Sequence, residues 1–186
     1  MSLFKSKARI RGKVTAVVYL PNGEIKRRPQ NLLQRLLGLP GSYMMMTNHN
    51  IVTDEGDALI ADIMSQTPAR TKVDNTNGYI QVGTGFTSES KSATACTTGT
   101  GTPEVMDSSY PQQKGSFGAA NDNVTVYKST FEAGDLNATG IDEAALLNNV
   151  TPASADCLAY AQITPAIDVS SSDTLAVTWE LTFTGV

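Results

Sequence analysis

Histidine and tryptophan each occur once in this chain, cysteine twice, and aromatic residues make up only 6% of it. Each scarcity removes a class of function. Nucleophilic catalysis of the triad type needs a base, usually histidine. The single candidate, His49, sits in Thr47-Asn-His-Asn50 with no nucleophile motif around it, and reads as a structural or surface residue. Cys96 and Cys157 are far apart and outside any CxxC pattern, so neither a disulfide framework nor a structural zinc site is indicated; both read as reduced thiols, one of them buried. No apolar run approaches the roughly 20 residues of a membrane span. The N-terminus, Met-Ser-Leu-Phe-Lys-Ser-Lys, lacks the apolar stretch of a secretion signal, and Asn123, Asn137 and Asn149 in Asn-x-Thr triplets read as polar turn sequence. Gly83-Thr-Gly85 follows a strand-like segment, but no third glycine, following helix or P-loop lysine accompanies it, so no cofactor is implied. Carboxylate pairing for glycoside cleavage depends on three-dimensional separation and stays open at this level.

What is present is a charge split. Residues 1–35 hold nine Lys or Arg and one Glu, whereas the rest of the chain holds five basic and seventeen acidic side chains. A basic segment on an acidic body can dock on an acidic neighbour, including another copy of itself, or be a solvated strand face. Nucleic-acid binding is disfavoured, because only Phe4 and Tyr19 could supply the aromatic contacts that usually reinforce phosphate binding. The interface candidates are Lys5, Lys7, Arg9, Arg11, Lys13, Arg27 and Arg28, joined by the run Met44, Met45 and Met46. Three successive methionines make an adaptable apolar surface, suited to core filling or to a subunit contact.

Periodicity gives the elements. The last segment, Thr174–Thr184, alternates strictly, with Leu175, Val177, Trp179, Leu181 and Phe183 on one face as core candidates. Trp179 thus reads as core rather than as a sugar-stacking platform. Ile10–Leu20 reads as a strand with its basic residues facing away from the core; Pro21-Asn-Gly23 turns it, and Glu24–Arg28 returns as a hairpin partner. Asn31–Gly38 places Leu32, Leu33, Leu36 and Leu37 at helical spacing, in a helix so short that it must dock to persist. A helix is expected over residues 53–65, capped by Thr53, with Leu59, Ile60, Ile63 and Met64 as its buried stripe. Asp54, Glu55 and Asp57 in its first turn suit the helix dipole without a metal. Further strands are expected at Tyr79–Val82, Val124–Phe131 and Cys157–Ile163, with Pro165–Val169 as a link. Ile141–Leu147 fits either a strand end or a helical turn. Residues 86–122, rich in Ser, Thr, Gly and Pro, read as a polar loop holding one short strand near Glu104-Val-Met106.

The fold class is therefore mainly β: an antiparallel β-sandwich, jelly-roll-like, with one short α-helix and an N-terminal basic arm or hairpin. Residues 1–50 would carry the basic arm, the hairpin and the Leu/Met-rich insert, and residues 51–186 the sandwich body.

The order of segments carries a resemblance. "RIRGKVTAVVYLPNGEIKRR", "NIVTDEGDALIADIM", "YIQVGTGFT", "VTVYKSTFEAGD…GIDEAALL", "CLAYAQITP" and "DTLAVTWELTF" together resemble structural virion proteins of tailed bacteriophages, of the capsid-decoration (cement) or the tail and fibre-attachment type. The resemblance spans roughly residues 9–183; the Leu/Met-rich insert between Leu32 and Met46 and the Ser/Thr-rich loop depart from it. It implies a non-enzymatic protein located in the virion, assembled in the host cytoplasm. Its implied partners are a major capsid protein or tail components and copies of itself, as a homo-oligomer such as a trimer. It brings no catalytic residue, metal or cofactor. A carbohydrate-binding sandwich is the other class to weigh, and Tyr43 or Tyr110 would have to serve as its aromatic platform.

Overall fold

Two strands with strict alternation, one near each end of the sequence, lie side by side and form the centre of the molecule. The computed structural model describes residues 8–185. In chain order the elements are β1 (Ala8–Tyr19), α1 (Leu32–Leu36), β2 (Met45–Val52), α2 (Asp54–Ile63), β3 (Tyr79–Gly83), β4 (Gly99–Val105), β5 (Gln112–Gln113), β6 (Val124–Phe131), β7 (Ala138–Leu147), β8 (Cys157–Val169) and β9 (Thr174–Gly185). All nine strands join one antiparallel sheet in the order β4-β3-β7-β8-β2-β1-β9-β6-β5. The sheet curls until its two ends meet. The Asp107 N–H donates to Lys128 O (2.8 Å) and the Ser129 hydroxyl to Glu104 O (3.1 Å), which brings the end of β4 and the residues after it against β6.

β1 and β9 pair over their full length, from Ala8 opposite Gly185 to Tyr19 opposite Thr174. That register sets Val14 opposite Trp179, Ala16 opposite Val177 and Val18 opposite Leu175, all on the concave side. Leu175, Val177, Trp179 and Leu181 are fully buried, in one continuous core with side chains from β2, β3, β6, β7, β8 and Leu59 of α2. Phe183, the last of the expected core series, is 39% exposed, because it lies where the strand passes the rim of the sheet.

Several expectations are corrected. Residues 8–19 are the sheet's centre, paired with β2 on one side and β9 on the other, rather than an arm. The outward-facing basic side chains of β1 disguise a central strand. The boundary expected at residue 50 falls inside β2. The return strand after Pro21-Asn-Gly23 is reduced to isolated bridges, Tyr19 with Ile25 and Arg27 with Tyr43. β9 lies between β1 and β6. The link at Pro165–Val169 is a continuation of β8, and Ile141–Leu147 is strand.

α2 forms as read from its cap: the Thr53 hydroxyl accepts from the Gly56 N–H (2.9 Å) and itself donates to Cys157 O. Its buried stripe is narrower than expected. Leu59 enters the core and Ile60 packs against it, but Ile63 and Met64 face outward. Among the described residues, no helix is long and apolar enough to cross a membrane.

The polar loop is ordered by the chain itself. Glu143 on β7 is fully buried, and its carboxylate accepts from the N–H groups of Thr98 (2.8 Å), Thr97 (2.9 Å) and Gly85 (3.0 Å) and from the Tyr160 hydroxyl. Burial alone would push this carboxyl up; the four donors outweigh it and hold it below its ordinary value. The loop thereby closes over a second apolar cluster of Cys96, Ala145, Leu147, Cys157 and Tyr160. Both cysteines are free and both are buried, where one was expected to be. Burial raises their thiol values, that of Cys157 to about 12, so neither is poised as a nucleophile.

Candidate interaction surface

The segment between β1 and β2 folds into a lobe that leaves most of its apolar side chains in solvent. Its neck is closed by the Arg28 N–H donating to Ser42 O (2.8 Å) and the Met44 N–H to Lys26 O (2.7 Å). Inside it, Asn31 and Gln34 cap α1 reciprocally: the Gln34 N–H donates to Asn31 Oδ1 (2.8 Å) and the Asn31 N–H to Gln34 Oε1 (3.0 Å). Gly38, at φ +64°, ends the turn in a conformation that side-chain-bearing residues rarely adopt. These local bonds hold a single turn of helix in which no residue is buried among the described residues. Leu32, Leu33, Leu36, Leu37 and Leu39 are exposed, from 49% at Leu39 to 83% at Leu32, so the expected docking of this helix is not made among the described residues.

The methionine run divides by strand alternation. Met44 and Met46 point into the core and are buried, which removes them as contact residues; Met45, between them, is 54% exposed beside the lobe. Arg27 lies over the Tyr43 ring, 3.9 Å from its centroid, and donates to the Tyr43 hydroxyl (2.6 Å) and to Gly41 O (3.0 Å). Arg28 is half-buried and donates to Pro165 O (3.0 Å), tying the lobe to β8. An open cleft of about 270 Å³ between Glu24, Ile25, Arg27 and Tyr43 borders the lobe. Among the described residues, Arg27, Arg28 and Arg35 form no ion pair with a carboxylate. The lobe is therefore apolar and positively charged at once.

The other basic candidates lie elsewhere. Arg9, Arg11 and Lys13 are exposed on the convex face of β1, near the opposite end of the sheet, with Lys13 across from Glu180. Lys5 and Lys7 lie outside the described residues. The structure thus separates into two groups what the charge count presented as one. His49 is exposed on β2 opposite Lys13, and among the described residues no cluster of His, Cys, Asp and Glu has the arrangement of a metal site. An open, hydroxyl-lined hollow of about 280 Å³ lies over Tyr160 and Cys96, bordered by Ser and Thr of the polar loop.

The apolar surface of the lobe went unread in the sequence because a leucine stripe at helical spacing signals burial. The usable signal was the combination of that stripe with a helix too short to stand alone and a basic run with no acidic residue between Glu24 and Asp54. No protein-family model matches the chain, and no match emerges among curated proteins or solved structures.

Proposed function

We propose that this chain is a non-enzymatic structural protein of a tailed-bacteriophage virion, and specifically a capsid decoration (cement) protein that stabilises the shell through contacts between subunits. The observation that carries the proposal is the lobe at α1: leucines held in solvent by their own capping bonds, on a body whose core is otherwise closed. Surfaces of this kind mark sites of protein association. The segment order that resembles such virion proteins supports the same reading. In it, the curled sheet acts as a sandwich-like, jelly-roll-type body, and the basic outer face of β1 docks on an acidic neighbour. A tail, baseplate or fibre-adaptor role uses the same surface and differs in copy number.

The test is a copy count on purified particles. Copies in the hundreds support decoration of the shell, whereas a small ring-sized number assigns the chain to the tail. Absence from particles refutes both.

A further inference from the structure

The lobe's charge and position point to what it seats against. β2 runs from Met45, opposite Val17, to Val52, opposite Ala159, so the lobe and α2 stand at opposite ends of the curled sheet. At the α2 end, Ile63 and Met64 are exposed, Met64 at 82%. The helix that presents them carries Asp54, Glu55, Asp57 and Asp62 and no basic residue; Lys91 pairs with Asp54 and Asp57 and offsets one of the four charges, leaving this end net negative. At the lobe, the leucines are accompanied by Arg27, Arg28 and Arg35, with Glu24 the one carboxylate lining the adjoining cleft. One pole is apolar and positive, and the other is apolar and negative.

We propose that copies of this chain associate head to tail, the leucine lobe of one seating on the α2 pole of the next. This deepens the reading above and rests on it, since it names a second copy as the lobe's partner. Two observations carry it. The first is exposure: the five leucines, Tyr43 and Met45 are each about half exposed or more, and apolar surface left in solvent on this scale marks a site of protein association. The second is charge. A two-fold contact of the lobe with itself would bring six arginines together in a region being desolvated, with Glu24 the one carboxylate lining the adjoining cleft on each copy. The α2 pole offers the opposite sign. A contact between two different patches is heterologous, and so builds a ring where the rotation closes and a filament where it does not.

The experiment is sedimentation of the purified full chain over a series of protein and salt concentrations. It compares the wild type with Leu33→Ser/Leu36→Ser at the lobe and Ile63→Ser/Met64→Ser at α2. Head-to-tail contact predicts that the wild type associates and does so less as salt rises. Each variant alone stays monomeric, and their equimolar mixture forms one-to-one dimers and nothing larger, because each supplies one intact pole. A wild type that is monomeric throughout overturns the proposal. So does an α2 variant that self-associates like the wild type, since that result is the signature of lobe-on-lobe docking. Leu32→Gln/Leu37→Gln and Met64→Gln repeat the test at neighbouring exposed positions should either first variant melt below the wild type. Particle occupancy of the same lobe variants is measured alongside: loss from particles with a monomeric wild type ends the self-contact and leaves the virion reading standing.

Discussion

Glu143→Ala removes the acceptor that folds the polar loop. In the wild type one buried carboxylate receives four hydrogen bonds, three from backbone N–H groups of residues 85, 97 and 98 and one from Tyr160. Hydrogen bonds to a charged group contribute about 1.5–3 kcal/mol each, and a buried donor left unpaired costs about 1–3 kcal/mol. Because the loop can open and rehydrate its donors, the loss saturates near the cost of releasing the loop, about 3–5 kcal/mol. Urea unfolding with a matched hydrogen-exchange experiment reads it: the amides of Gly85, Thr97 and Thr98 lose protection first, and the unfolding midpoint falls. Glu143→Gln keeps the shape but presents an amide NH₂ to the same donors, so it recovers only part of the loss. The pH dependence has a definite direction. The folded value lies below the unfolded one, so Glu143 contributes fully above the ordinary carboxyl range, and its contribution disappears as pH falls through the folded value. An unchanged midpoint in Glu143→Ala, or protection at Thr97 and Thr98 equal to that of the wild type, would refute the account of how the loop is held.

Trp179→Ala should destabilise by about 3–5 kcal/mol, as expected for a fully buried aromatic in a closed core; a near-neutral melting temperature would contradict its placement. Trp179→Phe should cost much less, because the indole N–H has no hydrogen-bond partner among the described residues. Gly12→Ala places a Cβ 1.4 Å from Asn50 Oδ1 and should cost about 1–3 kcal/mol. The double variant Gly12→Ala/Asn50→Ala should recover most of that loss, and a strictly additive pair in urea unfolding would show that the two residues do not meet. Neutralising Arg9, Arg11 and Lys13 should lower particle attachment without moving the melting temperature, since all three face solvent; unchanged occupancy across a salt series would dismiss a docking role for them.

What could be read before the structure was what local chemistry decides. β6 is found at Val124–Phe131 as its alternation indicates, β9 likewise, and Thr53 caps α2 as its side chain allows. The misreadings have long-range causes. β7 has a run of buried residues on both faces, because the polar loop covers its outer side, so its alternation is hidden. The short strand expected near Glu104 is the end of the longer β4, and β5 was not anticipated; both lie in a stretch whose composition reads as loop, and their edge positions need little apolar content. Glu143 looks like any surface acid until residues 85–98 fold over it. The lobe was legible as a helix and not as a surface, because a capping box reports that a turn forms and says nothing about what covers it.

The most direct test of the central claim, that the chain works through the leucine lobe as a multi-copy virion contact, is particle occupancy of wild type against Leu33→Ser/Leu36→Ser. The wild type should be present in many copies per purified particle, and the variant, folded and with an unchanged melting temperature, should be lost from it. Equal occupancy of the two proteins, or a wild type absent from particles, would contradict the account.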